Sequence, residues 1–210
     1  MVLVGKSGSG KSTVANMLIQ RDLLKENLLA VSDHPLGVTR NVATIVSAQW
    51  TVVDTVGLGE MEGRGNHNTK DAVQLLCQVL GIGERKFHHI AYVVEKGRLG
   101  TEENKKLFEL FKSTFSGAEE NFVLIVTKCR SEWINEHREL INEIFGIPAV
   151  CCDFPWDKDG PWNEDGTDNQ RDYRTTNLQN FEQQLSALRR QPIKPTLSTP
   201  HMAPVLFTGF

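Results

Sequence analysis

The opening of the chain constrains its fold more than any other stretch. An apolar run, Met1–Val4, leads directly into a glycine-rich stretch, Gly5–Thr13 (GKSGSGKST), that fits the pattern G-x-x-x-x-G-K-[ST]. The run predicts a buried strand, and the apolar spacing of Thr13–Arg21 predicts a helix. A strand, this loop and a helix, in that order, form the context in which the pattern binds phosphate. A flexible Gly/Ser turn before a helix is the weaker interpretation.

The residue types of the glycine-rich stretch suit an anion. Glycines let the backbone wrap closely around a phosphate, so that successive N–H groups and the helix N-terminus point at it. Lys11 can supply positive charge to the β- and γ-phosphates of a nucleotide, which makes it a catalytic candidate, and the Ser12 hydroxyl can bind Mg²⁺. The residues predicted to contact nucleotide here are Gly5, Ser7, Gly8, Ser9, Gly10, Lys11, Ser12 and Thr13.

Composition narrows the class of protein. The chain of 210 residues is 40% hydrophobic and 23% charged, which suits one α/β domain. Its net charge of −3 gives no electrostatic reason to expect nucleic acid as a partner. The four cysteines lack C-x-x-C spacing and metal-like spacing with histidine, so reduced thiols and a cytoplasmic location are expected. No apolar run is long enough to cross a membrane and no signal peptide precedes the loop, although the chain could be a trimmed or a naturally short form.

Beyond the opening, apolar runs alternate with amphipathic stretches. The predicted strands are Val42–Trp50, Thr51–Thr55, Ile90–Glu95, Phe122–Val126 and Ala149–Cys152, and the predicted helices are Asp71–Leu80, Glu102–Phe115, Glu132–Phe145 and Tyr173–Arg190. This alternation predicts an α/β fold of the three-layer P-loop type, with a mainly parallel central sheet covered on both faces. Ligands of such folds bind at the carboxyl ends of the strands.

The same pattern sets the expected domain boundaries. Residues 1–190 form one predicted nucleotide-binding domain, with a core over 1–152 and an irregular loop and last helix over 153–190. Residues 191–210 carry four prolines and are predicted to form a disordered tail, because proline denies the chain helix and central-strand structure. The other predicted loops, rich in glycine or turn residues, are Ser32–Arg40 and Gly57–Asn68.

A second motif, Asp54-Thr-Val-Gly57, places an aspartate at the end of a strand and a glycine three residues later. In GTPases this aspartate holds Mg²⁺ through water, and the glycine N–H binds the γ-phosphate. The motif is short, but its distance from the first loop and the strand before it favour a functional motif over a chance match. Thr39, between the two motifs, could bind Mg²⁺ and the γ-phosphate and so assist catalysis, or it could be an ordinary loop threonine. The predicted metal ligands are Ser12, Thr39 and Asp54.

These motifs, together with a later one, resemble the AIG-type GTPases, whose animal members are the GTPases of immunity-associated proteins (GIMAPs). That family is similar to the septins and to the chloroplast Toc receptors. The resemblance covers residues 1–152, and the segments that carry it are Val4–Ser12, Gly37–Thr39, Asp54–Leu58 and Gly97–Glu103 (GRLGTEE). The last of these, the family-specific segment, departs from the usual pattern because Leu99-Gly100 replaces a phenylalanine and adds one residue.

The resemblance implies a guanine-nucleotide-binding protein that takes GTP and GDP with Mg²⁺ and hydrolyses GTP slowly to GDP and phosphate. It also implies a homodimer or oligomer that forms through the nucleotide face, where a residue of the partner subunit completes the site. Arg98, in the family-specific segment, is the candidate for an arginine supplied in trans, and the alternative is a solvated loop arginine. His67 and Glu60 are weaker candidates for this role.

The expected guanine-binding motif departs from its usual pattern. GTPases read guanine with Asn/Thr-Lys-x-Asp after a strand, and the carboxylate accepts hydrogen bonds from N1 and N2 of the base. Here the segment is Thr127-Lys-Cys-Arg130, so Thr127 and Lys128 remain as base contacts while an arginine, which only donates, replaces the aspartate. Glu132 or Asp153 could supply the missing carboxylate. Without a replacement, discrimination for guanine should weaken, because a buried polar edge would be unpaired.

Leu58 stands where small GTPases have a glutamine that orients water, so intrinsic hydrolysis should be slow. Leu58 and Arg130 together leave two alternatives open. One is a scaffold that holds nucleotide with little or no hydrolysis, and the other is an ATP-binding P-loop protein. Nucleotide-binding measurements combined with single-turnover hydrolysis would separate the three.

Overall fold

Strands and helices alternate along the chain, as the hydrophobic pattern predicts. The computed structural model describes residues 1–21, 42–55, 57, 86–155 and 170–197. Its strands are β1 (Val2–Gly5), β2 (Ala43–Val46), β3 (Thr51–Asp54), β4 (Ile90–Glu95), β5 (Phe115–Ser116), β6 (Phe122–Thr127), β7 (Ala149–Cys152) and β8 (Thr196–Leu197). Its helices are α1 (Lys11–Gln20), α2 (Glu102–Thr114), α3 (Ser131–Glu136), α4 (Arg138–Phe145) and α5 (Arg171–Ala187), and short 3₁₀ turns cover Lys96–Arg98 and Glu119–Asn121.

Six of these strands form a central sheet in the order β2-β3-β1-β4-β6-β7. All neighbouring pairs are parallel except β2 and β3, which form an antiparallel hairpin at one edge. In the middle, Val2–Gly5 of β1 pair with Ile90–Val93 of β4. The strands β4 and β6 are buried along almost their whole length because helices cover both of their faces. The predicted α/β fold with a mainly parallel sheet is confirmed.

Helices on the two faces of the sheet divide the core into two parts. On one face, Phe108 and Phe111 of α2 and Phe145 of α4 pack against Tyr92 of β4. The rings of Tyr92 and Phe108 meet edge to face, with centroids 5.3 Å apart. On the other face, α1 and α5 cover alternate residues of the same strands, and their core residues are Val14, Met17, Leu18, Leu178, Phe181 and Leu185. This layering holds the start of α1 at the carboxyl edge of β1.

The prediction of one helix over Glu132–Phe145 is wrong, because the chain forms two helices that meet at His137. His137 leaves the helical conformation (φ −109°, ψ 16°), and its Nδ1 lies 3.0 Å from the carbonyl oxygen of Trp133. The imidazole also stacks on the Trp133 ring, with centroids 4.1 Å apart. The backbone N–H of His137 still donates to the same carbonyl oxygen (3.1 Å), so the turn at His137 closes α3 after six residues and α4 begins at Arg138.

The start of the predicted disordered tail is paired, which corrects that prediction for residues 191–197. Ile193 exchanges two backbone hydrogen bonds with Phe87, with N–O distances of 2.8 and 3.0 Å. Further on, β8 pairs antiparallel with β5. Proline removes a hydrogen-bond donor only at its own position, so Pro192 and Pro195 leave the amides of their neighbours able to pair.

Several predicted segments lie outside the described residues: Ser32–Arg40, Asp71–Leu80, the loop after Gly57, the middle of the segment 153–172, and the end of the tail from residue 198. Within the described part of the chain, none of the helices combines the length and the hydropathy that a membrane crossing demands.

The pairing of residues 191–197 predicts a contribution of this segment to stability. The Asn121 amide donates to the carbonyl oxygens of Phe87, His88 and Gln191, so removal of the segment breaks side-chain as well as backbone bonds. A chain ended at Arg190 should therefore unfold more easily than one ended at Leu197, by about 2 kcal/mol for the hydrogen bonds lost. Thermal denaturation of the two truncations measures this difference. Equal melting temperatures would show that the pairing adds nothing.

His89, just before β4, is 3% exposed, and its Nε2 lies 2.9 Å from the carbonyl oxygen of Leu185. Its Nδ1 is buried and has no hydrogen-bond partner among the described residues. Burial lowers the pKa of His89 from 6.5 to about 4. The unfolded chain therefore binds more protons between these two values, and the contribution of this residue to the free energy of unfolding must fall as the pH drops through that window.

This linkage can be measured with His89→Gln, which keeps a donor for the Leu185 carbonyl but does not titrate. Between pH 7 and pH 5 the wild type should lose more free energy of unfolding than the variant, with an extra slope of up to about 1.4 kcal/mol per pH unit. Urea denaturation at several pH values gives both slopes. Parallel slopes in that range would contradict the assignment of a neutral, buried His89.

Candidate nucleotide-binding site

The glycine-rich loop fits the edge of the sheet only because two of its residues lack a side chain. A Cβ atom on Gly5 would lie 2.2 Å from the carbonyl oxygen of Val93 in β4. Gly10 has a left-handed backbone (φ +92°), and its Cβ would lie 3.1 Å from Cγ2 of Thr127 in β6. The loop is therefore wedged against the ends of β4 and β6, and α1 begins directly behind it at Lys11.

Lys11 folds back over the loop that precedes it. Its Nζ donates hydrogen bonds to the carbonyl oxygens of Gly5 (3.1 Å) and Lys6 (3.0 Å), and the residue is 5% exposed. The ammonium group thus lies across the loop and beside the N-terminus of α1, whose dipole also favours negative charge. Buried positive charge and backbone donors at one point suit the phosphates of a nucleotide.

Ser12 and Asp54 meet beside the same loop. The Ser12 hydroxyl donates a 2.7 Å hydrogen bond to Oδ2 of Asp54, the last residue of β3. Asp54 is fully buried, and its Oδ1 accepts no hydrogen bond from the described part of the chain. Burial raises the pKa of Asp54, while Lys11 and the Ser12 hydroxyl act against that rise. The next residue anchors the strand end, because the Thr55 hydroxyl donates to the Leu3 carbonyl oxygen (2.7 Å).

The Ser12–Asp54 pair fits a hard divalent cation. Mg²⁺ prefers oxygen ligands, usually one or two protein groups with water and phosphate oxygens completing the shell. A buried carboxylate with an unpaired oxygen costs free energy that such a cation would recover. The third predicted metal ligand, Thr39, lies outside the described residues. Within the ranges that the structure describes, no group of three or more His, Cys, Asp or Glu side chains offers another metal site.

Gly57, the glycine of the second motif, packs directly on the first loop. A Cβ atom there would lie 2.6 Å from Cα of Ser7, so only glycine allows this approach. The structure therefore brings together the two motifs that the sequence predicted to share a site. Leu58, which stands where small GTPases have a water-orienting glutamine, and the weaker catalytic candidates Glu60 and His67 lie outside the described residues.

Thr127 and Lys128 follow at the end of β6. The Thr127 hydroxyl donates to the carbonyl oxygen of Ser9 (2.8 Å), which ties this strand end to the phosphate loop. Lys128 has a left-handed backbone (φ +56°), and its Nζ lies 3.0 Å from Oε1 of Glu95 at the end of β4. Its side chain is 71% exposed and extends along the rim of the predicted site.

Arg98 shares the carboxylate that Lys128 contacts. Its Nε lies 3.4 Å from Oε2 of Glu95. The buried side chain of Asn104 fixes the turn behind it by donating to the carbonyl oxygen of Arg98 (2.6 Å) and to the Thr101 hydroxyl (3.0 Å). Sequence analysis missed both Glu95 and Asn104. The position of Glu95 at the carboxyl end of a parallel strand was the available signal for it.

The family-specific segment also reaches the phosphate loop. Glu103, in the first turn of α2, forms an ion pair with the Lys6 side chain of that loop. Thr101 begins the same helix, because its side chain accepts a hydrogen bond from the Asn104 amide. The N-terminus of α2 thus positions both the turn that carries Arg98 and the side chain of Glu103, which pairs with Lys6 of the phosphate loop.

Arg130, at the position where guanine-binding proteins have a carboxylate, points to α5. Its Nε donates to the Tyr173 hydroxyl (3.0 Å), which in turn donates to Oδ2 of Asp153 (2.7 Å). The Cys129 amide donates to the Cys152 carbonyl oxygen (3.2 Å), so the loops after β6 and β7 are adjacent. Sequence analysis did not single out Tyr173.

One family model, described as 50S ribosome-binding GTPase, matches residues 1–128. The match covers more than half of the 210 residues and includes both motifs and the end of β6. No curated protein matches the chain.

The geometry of Lys11 predicts that its removal abolishes tight nucleotide binding. Lys11→Ala should weaken the binding of GDP and GTP by about 100-fold or more, because charge-assisted hydrogen bonds to the phosphates are lost. Lys112→Ala is a matched control, since that side chain pairs with Glu109 on the surface of α2, and its affinity should stay near that of the wild type. Calorimetric titration of both variants tests this. Unchanged affinity in Lys11→Ala would refute the phosphate site.

Proposed function

The chain belongs to the P-loop GTPases, in the family described as 50S ribosome-binding GTPases, and on that premise we propose that it is a guanine-nucleotide switch that hydrolyses GTP slowly and assembles through its nucleotide face. The observation that carries the proposal is the Ser12–Asp54 hydrogen bond beside Lys11, with one oxygen of the buried carboxylate accepting no hydrogen bond from the described residues. Buried positive charge and oxygen ligands at one loop are what a magnesium nucleotide requires.

Each residue of this centre has a distinct task in the proposal. Lys11 holds the β- and γ-phosphates, and the backbone from Gly5 to Thr13 surrounds them. The Ser12 hydroxyl donates a hydrogen bond to Asp54, and both groups supply oxygen atoms, the ligand type that Mg²⁺ prefers. Ser12, Asp54 and Thr39 would hold Mg²⁺, which neutralises charge that develops on the phosphate oxygens. Gly57 supplies a backbone N–H near the γ-phosphate.

The family-specific segment supports membership in the AIG-type branch. The segment Gly97–Glu103 is joined to the phosphate loop through Glu103 and Lys6, and it carries Arg98 on a turn held by Asn104. A segment so placed can sense whether nucleotide is bound. In the proposal, residues 1–190 act as one G domain of this type.

The arginine in that segment is the proposed catalytic group for a partner subunit. Within its own chain Arg98 is 51% exposed in its ion pair with Glu95, and such an exposed pair contributes little free energy. Its side chain can therefore leave Glu95 at small cost and enter the site of a facing subunit. An arginine supplied in trans would offset the lack of a water-orienting glutamine at Leu58.

A scaffold that binds nucleotide without hydrolysis is the second candidate. Leu58 favours it, because leucine cannot orient water. In that case nucleotide would still promote assembly, and phosphate would not be released. An ATP-binding protein is disfavoured by the family assignment.

Single-turnover GTP hydrolysis at increasing protein concentration distinguishes these functions. If subunits complete each other's sites, the rate per subunit should rise with concentration, and Arg98→Ala should reduce the rate at high concentration by at least about tenfold. GTP affinity in the variant should remain near that of the wild type. Arg138→Ala, at an exposed position on α4, is the matched control.

Three outcomes would count against the proposal. A rate that does not depend on concentration would exclude catalysis in trans. A loss of equal size in Arg138→Ala would show that the effect is not specific to Arg98. Nucleotide-dependent assembly without any phosphate release would favour the scaffold.

A further inference from the structure

The loops that follow β6 and β7 enclose one corner of the nucleotide site. Thr127 is bonded to the phosphate loop through the Ser9 carbonyl oxygen, which fixes the first of these loops next to the phosphates. The Cys129–Cys152 backbone hydrogen bond places the second loop beside it. A base attached to phosphates in the glycine-rich loop would therefore lie near Thr127–Arg130 and near the residue after β7, Asp153.

A chain of three side chains spans these loops. The Arg130 guanidinium lies 5.3 Å from the centroid of the Tyr173 ring and donates from Nε to the Tyr173 hydroxyl. That hydroxyl has its own proton directed to Asp153 Oδ2 at 2.7 Å. Burial and the nearby Asp153 raise the pKa of Tyr173, so the hydroxyl remains protonated and can make both bonds at neutral pH.

The geometry leaves Asp153 able to accept more hydrogen bonds. Of its two carboxylate oxygens, only Oδ2 accepts a bond from the described part of the chain, and each oxygen has two lone pairs. Guanine offers two adjacent donors, N1–H and the N2 amino group, which match a carboxylate. Arginine cannot accept these protons, whereas a carboxylate on the neighbouring loop can.

We propose that Asp153 is the carboxylate that recognises the pairing edge of guanine, and that Tyr173 and Arg130 are positioning residues that hold it in place. The proposal rests on the guanine-nucleotide function proposed above and adds the group that selects the base. In this proposal Arg130 does not contact the base, unlike the aspartate that usually occupies its position, because its guanidinium points to α5.

The other carboxylates of this corner are less suitable. Glu132 is exposed on the first turn of α3. Glu95 already contacts the side chains of both Lys128 and Arg98. Asp153 is partly buried and is held by a neutral hydroxyl, and among the described residues it forms no direct ion pair.

The test compares four nucleotides by calorimetric titration: GDP, IDP, which lacks the 2-amino group, XDP, which has a carbonyl there, and ADP. The wild type should bind GDP at least about tenfold more tightly than IDP, because one bond to a charged acceptor is at stake. Asp153→Asn should lose that preference and bind XDP more tightly than the wild type does, because an amide can donate to the xanthine carbonyl. Glu132→Gln is the matched control and should keep the wild-type order.

Tyr173→Phe tests the positioning role. It removes the hydroxyl and keeps the ring, so the ratio of GDP affinity to IDP affinity should fall. The melting temperature should stay within a few degrees of the wild type. Loss of stability alone cannot raise the affinity for XDP, so the gain in Asp153→Asn separates base recognition from misfolding. If Asp153→Asn does not fold, the ratio of GDP affinity to IDP affinity, measured in the wild type and in Tyr173→Phe, tests the proposal instead.

Two results would overturn the proposal: wild-type selectivity retained in Asp153→Asn, or equal GDP and IDP affinities in the wild type. Either would leave the phosphate site intact, because Lys11→Ala reports on that site independently of the base. Nucleotide binding that survives Lys11→Ala would instead overturn the proposed function itself.

Discussion

The contact between the glycine-rich loop and the end of β4 is the constraint on which the site depends. A Cβ atom on Gly5 would lie 2.2 Å from the Val93 carbonyl oxygen, so only glycine fits at this position of the loop. This closeness exists because β1 lies in the middle of the sheet, between β3 and β4. Asp54 at the end of β3 is therefore brought to Ser12, and Glu95 at the end of β4 is brought to the rim. The order of the strands thus decides which side chains can cooperate.

Cations and carboxylates lie close together at the carboxyl edge of the sheet. Glu95 contacts both Lys128 and Arg98, at 3.0 and 3.4 Å, while Arg130 is bonded to a neutral tyrosine. Lys11 adds a buried positive charge behind the loop. Among the described residues of this edge, five cations (Lys6, Lys11, Arg98, Lys128 and Arg130) stand beside four carboxylates (Asp54, Glu95, Glu103 and Asp153), whereas the net charge of the whole chain is −3. An anionic ligand at this edge is attracted locally although the protein is acidic overall.

Sequence predicted the features that depend on local pattern. The bounds of β4 and β7 agree with the prediction, because continuous apolar runs leave little freedom for buried strands. The break at His137 could not be predicted, since it is a change in the backbone angles of one residue within a continuous amphipathic stretch. The pairing of Ile193 with Phe87 joins residues more than a hundred positions apart, and pattern carries no information at that range. For the same reason the motifs identified Ser12 and Asp54, whereas the partners of Arg130 emerged only from the fold.

The family-specific segment illustrates how one helix start can link two parts of a site. Its residues Thr101, Asn104 and Glu103 occupy the first turn of α2 or its cap, where side chains satisfy backbone groups that the helix leaves free. Asn104 holds the Arg98 carbonyl, and Glu103 holds the Lys6 side chain of the phosphate loop. Because Tyr92 of the core also donates to Asn104, this turn is fixed from beneath. If the phosphate loop shifts when a ligand binds, the N-terminus of α2 stays in place. The exposed ion pairs Lys6–Glu103 and Arg98–Glu95 are then the contacts that can change.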